Sequence, residues 1–228
     1  MKPYYDHNGI TIYHGDCRDI LPSLPKVDLV LTDPPYGVGI KYGLSYNDDR
    51  TGYWDWFVPC VAQMRSAGKI LMFTHRNEAL RHLHDWDWVG VWNKPGSFGS
   101  RIGKSAVLPH WEPVFMWGIH TGGVYGEYTS DVFTFNPNTE GRNGSAIGRK
   151  KWEQDKFEFH PCPKPQPLYN KFVQIFSPAG GTVLDPFMGS GITLRSGKDL
   201  GRKAIGIEIE EKYCEIAVKR LAQEVFPL

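Results

Sequence analysis

The chain has 228 residues, 22% charged and 41% hydrophobic, which fits one soluble globular domain with insertions and excludes a disordered or fibrous chain. Lys plus Arg number 26 against 25 Asp plus Glu, so the formal net charge is +1. That sum excludes a binder working through uniform positive charge, though not one that segregates its charge locally.

In chain order, residues 27–31 form a short apolar run and read as a buried strand, residues 54–65 as a crossover helix, and residues 69–73 as a second buried strand. Residues 88–92 and 113–117 read as an antiparallel pair joined by a Gly/Ser/Lys-rich loop. From 119 to 159 no strong period is found, so this stretch is expected to be loops or a small inserted recognition element within one domain spanning 1–228. Strands are expected at 182–184 and 203–209 around a helix at 190–200. The last helix places Tyr213, Ile216, Ala217 and Leu221 on one face, with Glu210 and Glu211 near its start, where the helix dipole favours negative charge. Alternating strands and helices predict a doubly wound, mostly parallel α/β sheet, in which ligands bind beyond the carboxyl ends of the strands.

The cysteines at 17, 60, 162 and 214 have no C-x-x-C spacing, so neither a zinc ribbon nor a disulfide scaffold is expected. His160 and Cys162 lack a second ligand pair nearby, so no metal site is expected there. Neither a signal-peptide run nor a membrane-length apolar run is present, and a cytoplasmic address is the expectation.

The most informative feature is a self-similarity. Asp33-Pro34-Pro35-Tyr36-Gly37-Val38-Gly39 and Asp185-Pro186-Phe187-Met188-Gly189-Ser190-Gly191 both spell D-P-x-x-G-x-G directly after an apolar strand. Each puts a carboxylate, a rigid turn and flexible glycines at a strand end. For the second loop, a P-loop fails because Gly191 to Gly197 encloses five residues and Lys198 is followed by Asp199. A dinucleotide fingerprint is weak because Leu194 falls where a small residue is needed. What survives is a short turn that lets a nucleoside approach the backbone. Seventeen residues after Gly191, Glu208 ends the next strand, either as an acceptor for ribose hydroxyls or as a solvated strand-end charge. For the first loop, the Asp33 carboxylate and the Pro34 carbonyl are two acceptors beside an aromatic ring. They suit a planar substrate presenting an amino group, such as adenine or cytosine. The H-x-E and P-C-x-x-C signature of zinc deaminases is absent, which leaves group transfer onto nitrogen.

With these motifs the sequence resembles the S-adenosylmethionine-dependent DNA amino-methyltransferases, in the permuted β-class order with D-P-P-Y upstream of the cofactor loop. His14-Gly15-Asp16-Cys17 is similar to the segment whose Asp contacts the cofactor's adenine. Leu31 to Gly37 is similar to the catalytic motif. His160-Pro161 with Lys164-Pro165, Val183 to Gly191, and Ile205 to Glu208 resemble the closing cofactor block. Cys162-Pro163 departs from the family's usual Thr-Gln. Trp92 to Pro95 and Trp111 to Val114 are similar to the segment facing the target base.

The resemblance implies a Rossmann-like methyltransferase fold, S-adenosylmethionine as cofactor, no metal, and double-stranded DNA as partner. It implies catalytic roles for Asp33, Pro34, Pro35 and Tyr36. Cofactor contacts are implied for Asp16, Cys17, Asp33, His160, Lys164, Asp185, Phe187, Gly189, Ser190, Gly191 and Glu208. D-P-P-Y favours adenine N6 over cytosine N4, and a homodimer is compatible with the class. The charge then becomes informative. Residues 91–110 carry Lys94, Arg101 and Lys104 without an acid, and residues 141–152 carry Arg142, Arg149, Lys150 and Lys151 without one. These stretches hold +7, so the rest of the chain carries −6. They are expected to meet the phosphate backbone. An RNA or protein amide methyltransferase and a catalytically silent DNA-binding module are the rival readings.

Overall fold

The computed structural model describes residues 2–37, 52–74, 79, 81–95, 110–119, 125, 129–136 and 164–222. Among them nine strands share one sheet: β1 (Tyr5–His7), β2 (Ile10–His14), β3 (Leu29–Thr32), β4 (Lys69–Phe73), β5 (Trp88–Asn93), β6 (Trp111–Trp117), β7 (Val132–Thr134), β8 (Thr182–Asp185) and β9 (Lys203–Glu208). Their spatial order is β1-β2-β9-β8-β3-β4-β6-β5-β7. From β2 through β4 all neighbours are parallel, while β6 runs antiparallel to both β4 and β5. The expected doubly wound sheet with an antiparallel pair is therefore observed.

Period-two alternation decides which face each side chain covers. Leu29 and Leu31 of β3 join Leu71 and Phe73 of β4 on one face, while Val30, Ile70 and Met72 join the opposite core. Helix α2 (Tyr53–Ala67) lays Phe57, Val61 and Met64 on the second face. Helix α3 (Gln166–Phe176) lays Leu168, Phe172 and Val173 on the first. Because both faces are covered, all four residues of β3 are buried, as a central parallel strand requires. A third cluster joins Ile10 and Ile12 of β2 to Leu194 of α4 (Ile192–Asp199) and to Ala217 and Leu221 of α5 (Glu211–Ala222).

Several elements escaped the sequence reading, among them α1 (Cys17–Ile20), β1, β2, α3 and β7. In β2, Ile10 and Ile12 alternate inward, a pattern too short to stand out beside the stronger strands. The hairpin partner β1 buries little and is held mainly by pairing to β2. Helix α3 opens after Pro165 with Pro167 in its first turn, a favourable start, yet it carries no side-chain cap signal. Strand β7 falls inside the aperiodic stretch and pairs parallel to β5 at the sheet edge. No helix among the described residues is long and apolar enough to cross a membrane.

Candidate active site

The parallel arrangement gathers functional residues at one edge of the sheet. His14 of β2 leads to Gly15-Asp16, β3 to Asp33, β8 to Pro186-Phe187, and β9 ends on Glu208. Strand β5 runs parallel to β4 through their shared antiparallel neighbour β6, so Lys94 after β5 and Glu112 at the start of β6 reach the same edge. The two D-P-x-x-G-x-G loops, far apart in sequence, emerge side by side because β3 pairs with β8. A buried bond ties them: Thr32 Oγ1 donates to Asp185 Oδ1 at 2.6 Å.

Both loops need a left-handed residue. Gly37 has φ +68° and Gly191 φ +79°; a Cβ at Gly37 would lie 2.8 Å from the Tyr53 ring, and one at Gly191 2.7 Å from the Ala217 methyl. The first loop is further pinned by Tyr53 of α2, whose hydroxyl donates to the Pro35 carbonyl at 2.6 Å. The crossover helix thus positions the D-P-P-Y turn, a role its sequence does not announce.

A cavity of about 250 Å³ opens between the ends of β2, β9, β8 and β3. Asp16, Asp33, Glu208 and Glu210 supply four carboxylates to its wall, with one guanidinium from Arg18. Trp56, Phe187 and Tyr213 supply aromatic surface, Trp56 meeting Phe187 edge-on at 5.9 Å. Asp16 caps α1 (Cys17–Ile20) by accepting from the Arg18 backbone N–H. Its hydrogen bonds from Arg18, side chain first, hold the carboxyl below its ordinary range. Glu208 is 8% exposed, and each oxygen accepts one backbone N–H, from Gly189 and from Glu210, at 2.9 Å. Burial pushes its carboxyl up to about 7.

The wall contains Asp16, Cys17, Asp33, Phe187 and Glu208 of the expected cofactor residues. Asp185 stands behind it: its carboxylate is 3% exposed and is held by Thr32, Thr193 and the Phe187 N–H. Burial pushes that carboxyl up to about 6. Asp185 thus joins β3, β8 and α4, and its loop carries Phe187 into the cavity. Gly189 serves Glu208, Ser190 Oγ accepts from Arg220, and Gly191 packs on α5, so these three shape the loop from behind. The wall also includes Trp56, Arg18, Glu210 and Tyr213, which the motifs did not single out.

Asp33 is also the corner of a second assembly. Its Oδ1 accepts from the Tyr36 hydroxyl at 2.6 Å and its Oδ2 from Lys164 Nζ at 2.6 Å. Lys164 also reaches Glu112 Oε2 at 3.3 Å, and Lys94 Nζ donates to Glu112 Oε1 at 2.8 Å. Lys164 is therefore on the Asp33 carboxylate and not in the cavity wall. Lys94 is turned inward onto Glu112, because the register pairs Trp92 with Glu112 and leaves Lys94 beside that carboxylate. This makes an ion pair of a residue expected on phosphate. Burial pushes Asp33 above the usual carboxylate range against the pull of Lys164, and it pushes Tyr36 well up. Glu112 feels the same desolvation, but Lys164 and Lys94 together outweigh it and hold it low.

In the segments similar to the one facing the target base, Trp92 is 2% exposed and its indole N–H donates to the Phe135 carbonyl, a core role, whereas Trp111 is 39% exposed. His160, Cys162, Phe98, Arg101, Lys104, Arg142, Arg149, Lys150 and Lys151 lie outside the described residues.

Residues 119–219 match the family model described as DNA methylase, a span that includes Lys164, Asp185 and Glu208 but not the D-P-P-Y turn. The chain is 28% identical to the type II methyltransferase M.ScaI of Streptomyces caespitosus over 98% of its own length and 84% of that protein's. It is 28% identical to M.HpaI of Haemophilus parainfluenzae over 87% of this chain and 69% of that one. Among solved structures, the PvuII DNA methyltransferase, described as cytosine-N4-specific, superposes with a TM-score of 0.73 at 18% identity over 99% of this chain and 91% of that one. M1.HpyAVI in complex with SAM gives 0.64 at 23% identity over 94% of this chain and all of that one. The fold is Rossmann-like, as in these solved methyltransferases, and over most of its length the chain is similar in sequence to type II methyltransferases.

Proposed function

We propose that this protein methylates the exocyclic N6 amino group of adenine in double-stranded DNA, using S-adenosylmethionine. The observation that carries the reading is the double position of Asp33: it lines the cavity on one side and anchors the Tyr36, Lys164 and Glu112 assembly on the other. A donor in the cavity and an amine on the D-P-P-Y turn would then meet at one carboxylate.

The cavity's chemistry suits the donor. Carboxylates outnumber the one guanidinium in the wall, which favours a ligand bearing positive charge, and the aromatic wall suits a planar base. Glu208 would take the ribose hydroxyls, Asp16 the adenine side, and Trp56 and Phe187 would flank the ligand. When bound, S-adenosylmethionine supplies a methyl group on a positively charged sulfur, already strongly electrophilic. The protein's contribution is positioning and electrostatics. Asp33 and the Pro34 carbonyl accept the two amine hydrogens, orienting the nitrogen lone pair, and Tyr36 stacks on the base. Asp33 is the acceptor for the proton the amine gives up. The base must first leave the duplex, since its amine is otherwise enclosed by the stack. Residues 119–159 serve as the target-recognition insertion of a single domain, and Arg101, Lys104, Arg142, Arg149, Lys150 and Lys151 meet the backbone.

D-P-P-Y supports adenine, while the likeness to a cytosine-N4 enzyme keeps that base as the second reading. The test is to incubate the protein with methyl-labelled S-adenosylmethionine and unmethylated DNA, then digest to nucleosides. N6-methyl-2′-deoxyadenosine is expected; N4-methyl-2′-deoxycytidine would transfer the reading to cytosine, and label in neither would overturn it.

A further inference from the structure

We propose that Lys164 is a placeholder for the target amine: its ammonium occupies Asp33 until the base arrives, and Glu112 is the acceptor that takes it over. The inference rests on the amine-methylation reading above and assigns Lys164 a role on the substrate side, distinct from the cofactor contact its motif implies.

An ammonium N–H and an exocyclic amine N–H make the same demand on a carboxylate oxygen. Lys164 Nζ meets that demand at Asp33 Oδ2, 2.6 Å away, so an incoming amine finds the acceptor in use. Lys164 is only 7% exposed, which leaves no bulk water to receive the displaced charge. Glu112 Oε2 is already 3.3 Å from the same Nζ, so a small rotation of the lysine's end moves the bond from one carboxylate to the other. Lys94 holds Glu112's other oxygen and so fixes Oε2 toward Lys164. The rings of Phe73, Tyr36 and Trp92, with centroids 5.2, 5.4 and 5.8 Å from Nζ, stabilise the cation at either station. Tyr36 has the same pair of acceptors, Asp33 at 2.6 Å and Glu112 at 3.4 Å, so the ring that stacks on the base can release Asp33 in the same movement. Two lysines and two carboxylates balance the cluster before and after the exchange.

The test is a double-mutant cycle with Glu112→Gln and Lys164→Met, reading kcat and KM on unmethylated plasmid DNA, the cofactor's Kd, and the melting temperature. Glu112→Gln removes the second station and is expected to lower kcat about tenfold or more. Adding Lys164→Met removes the ammonium that has nowhere to go, and is expected to restore kcat to within about threefold of Lys164→Met alone. The cofactor's Kd is expected to stay within about twofold throughout. A double variant no faster than Glu112→Gln, or a Kd weakened about tenfold or more by Lys164→Met, overturns the proposal. If melting shows that Glu112→Gln does not fold, Glu112→Asp, whose carboxylate is withdrawn by one methylene, runs the same cycle with the same criterion. A wild-type protein that methylates no DNA amine overturns the proposed function; one that methylates while the cycle shows no relief overturns the placeholder alone.

Discussion

On one side of Asp33 the site is a cavity where Glu208 and Asp16 accept backbone N–H groups; on the other it is a cluster whose charges are held by each other. Glu208 is fixed by two N–H groups and Asp16 by its cap on α1, so these two carboxylates are oriented by the chain's own backbone. Asp33, Tyr36, Glu112, Lys94 and Lys164 are bonded through flexible side chains that can exchange partners. The difference fits the order in which two ligands must be handled. Under the proposed function, a small cofactor would bind a ready-made pocket at strand ends, whereas a base leaving a duplex would displace something already there.

The sharpest way to break the comparison is at its hinge. Asp33→Ala is expected to lower methyl transfer about a thousandfold while cofactor binding persists, measured by label transfer and by equilibrium binding. If binding is lost instead, Asp33 belongs to the cavity side only. A large effect of a different kind is expected on the DNA side. Replacing Arg149, Lys150 and Lys151 by Ala should flatten the slope of log affinity against log salt by about 3, and an unchanged slope would reject the contact.

On the cavity side, Glu208→Gln isolates the buried carboxyl. With its carboxyl at about 7, the wild type should bind cofactor about tenfold more tightly at about pH 8 than at about pH 6, because the ionised form accepts the ribose hydroxyls. The variant should show a flat profile. The linked stability runs the other way: the folded chain keeps a proton that the unfolded chain has lost, so Glu208's contribution falls as pH rises from its ordinary value of 4.5 to about 7. The smallest effect on chemistry is expected from Thr32→Val, which leaves Asp185 Oδ1 without its hydroxyl donor. A loss of about 1–3 kcal/mol in denaturant unfolding is expected, with little change in kcat once folded.

Much of this site could be read from the linear chain because its motifs are local. Asp33 to Tyr36 and Asp185 to Gly191 are turns at strand ends, and a turn's residues are chosen by the backbone they must make. The apolar runs at 27–31 and 69–73 announced buried parallel strands for the same reason. Lys164 and Glu112 were legible as parts of motifs but not as partners, since 52 residues separate them and only the sheet order brings them together. Trp56 looked like an ordinary helix residue, and Tyr53 fell just before the expected helix. They became wall and brace because α2 crosses beside the first loop.

The sequence by itself determined the alternation of elements, the two matching loops, the acidic strand end at Glu208 and the segregation of positive charge. Each depends on composition or on neighbours within a few residues. Tertiary structure alone decided that the two loops stand side by side, that Asp185 supports its loop from behind the wall, and that Lys94 and Lys164 point inward to carboxylates. Those outcomes depend on which strands pair, and in a buried site a charge takes its role from the partner that replaces water.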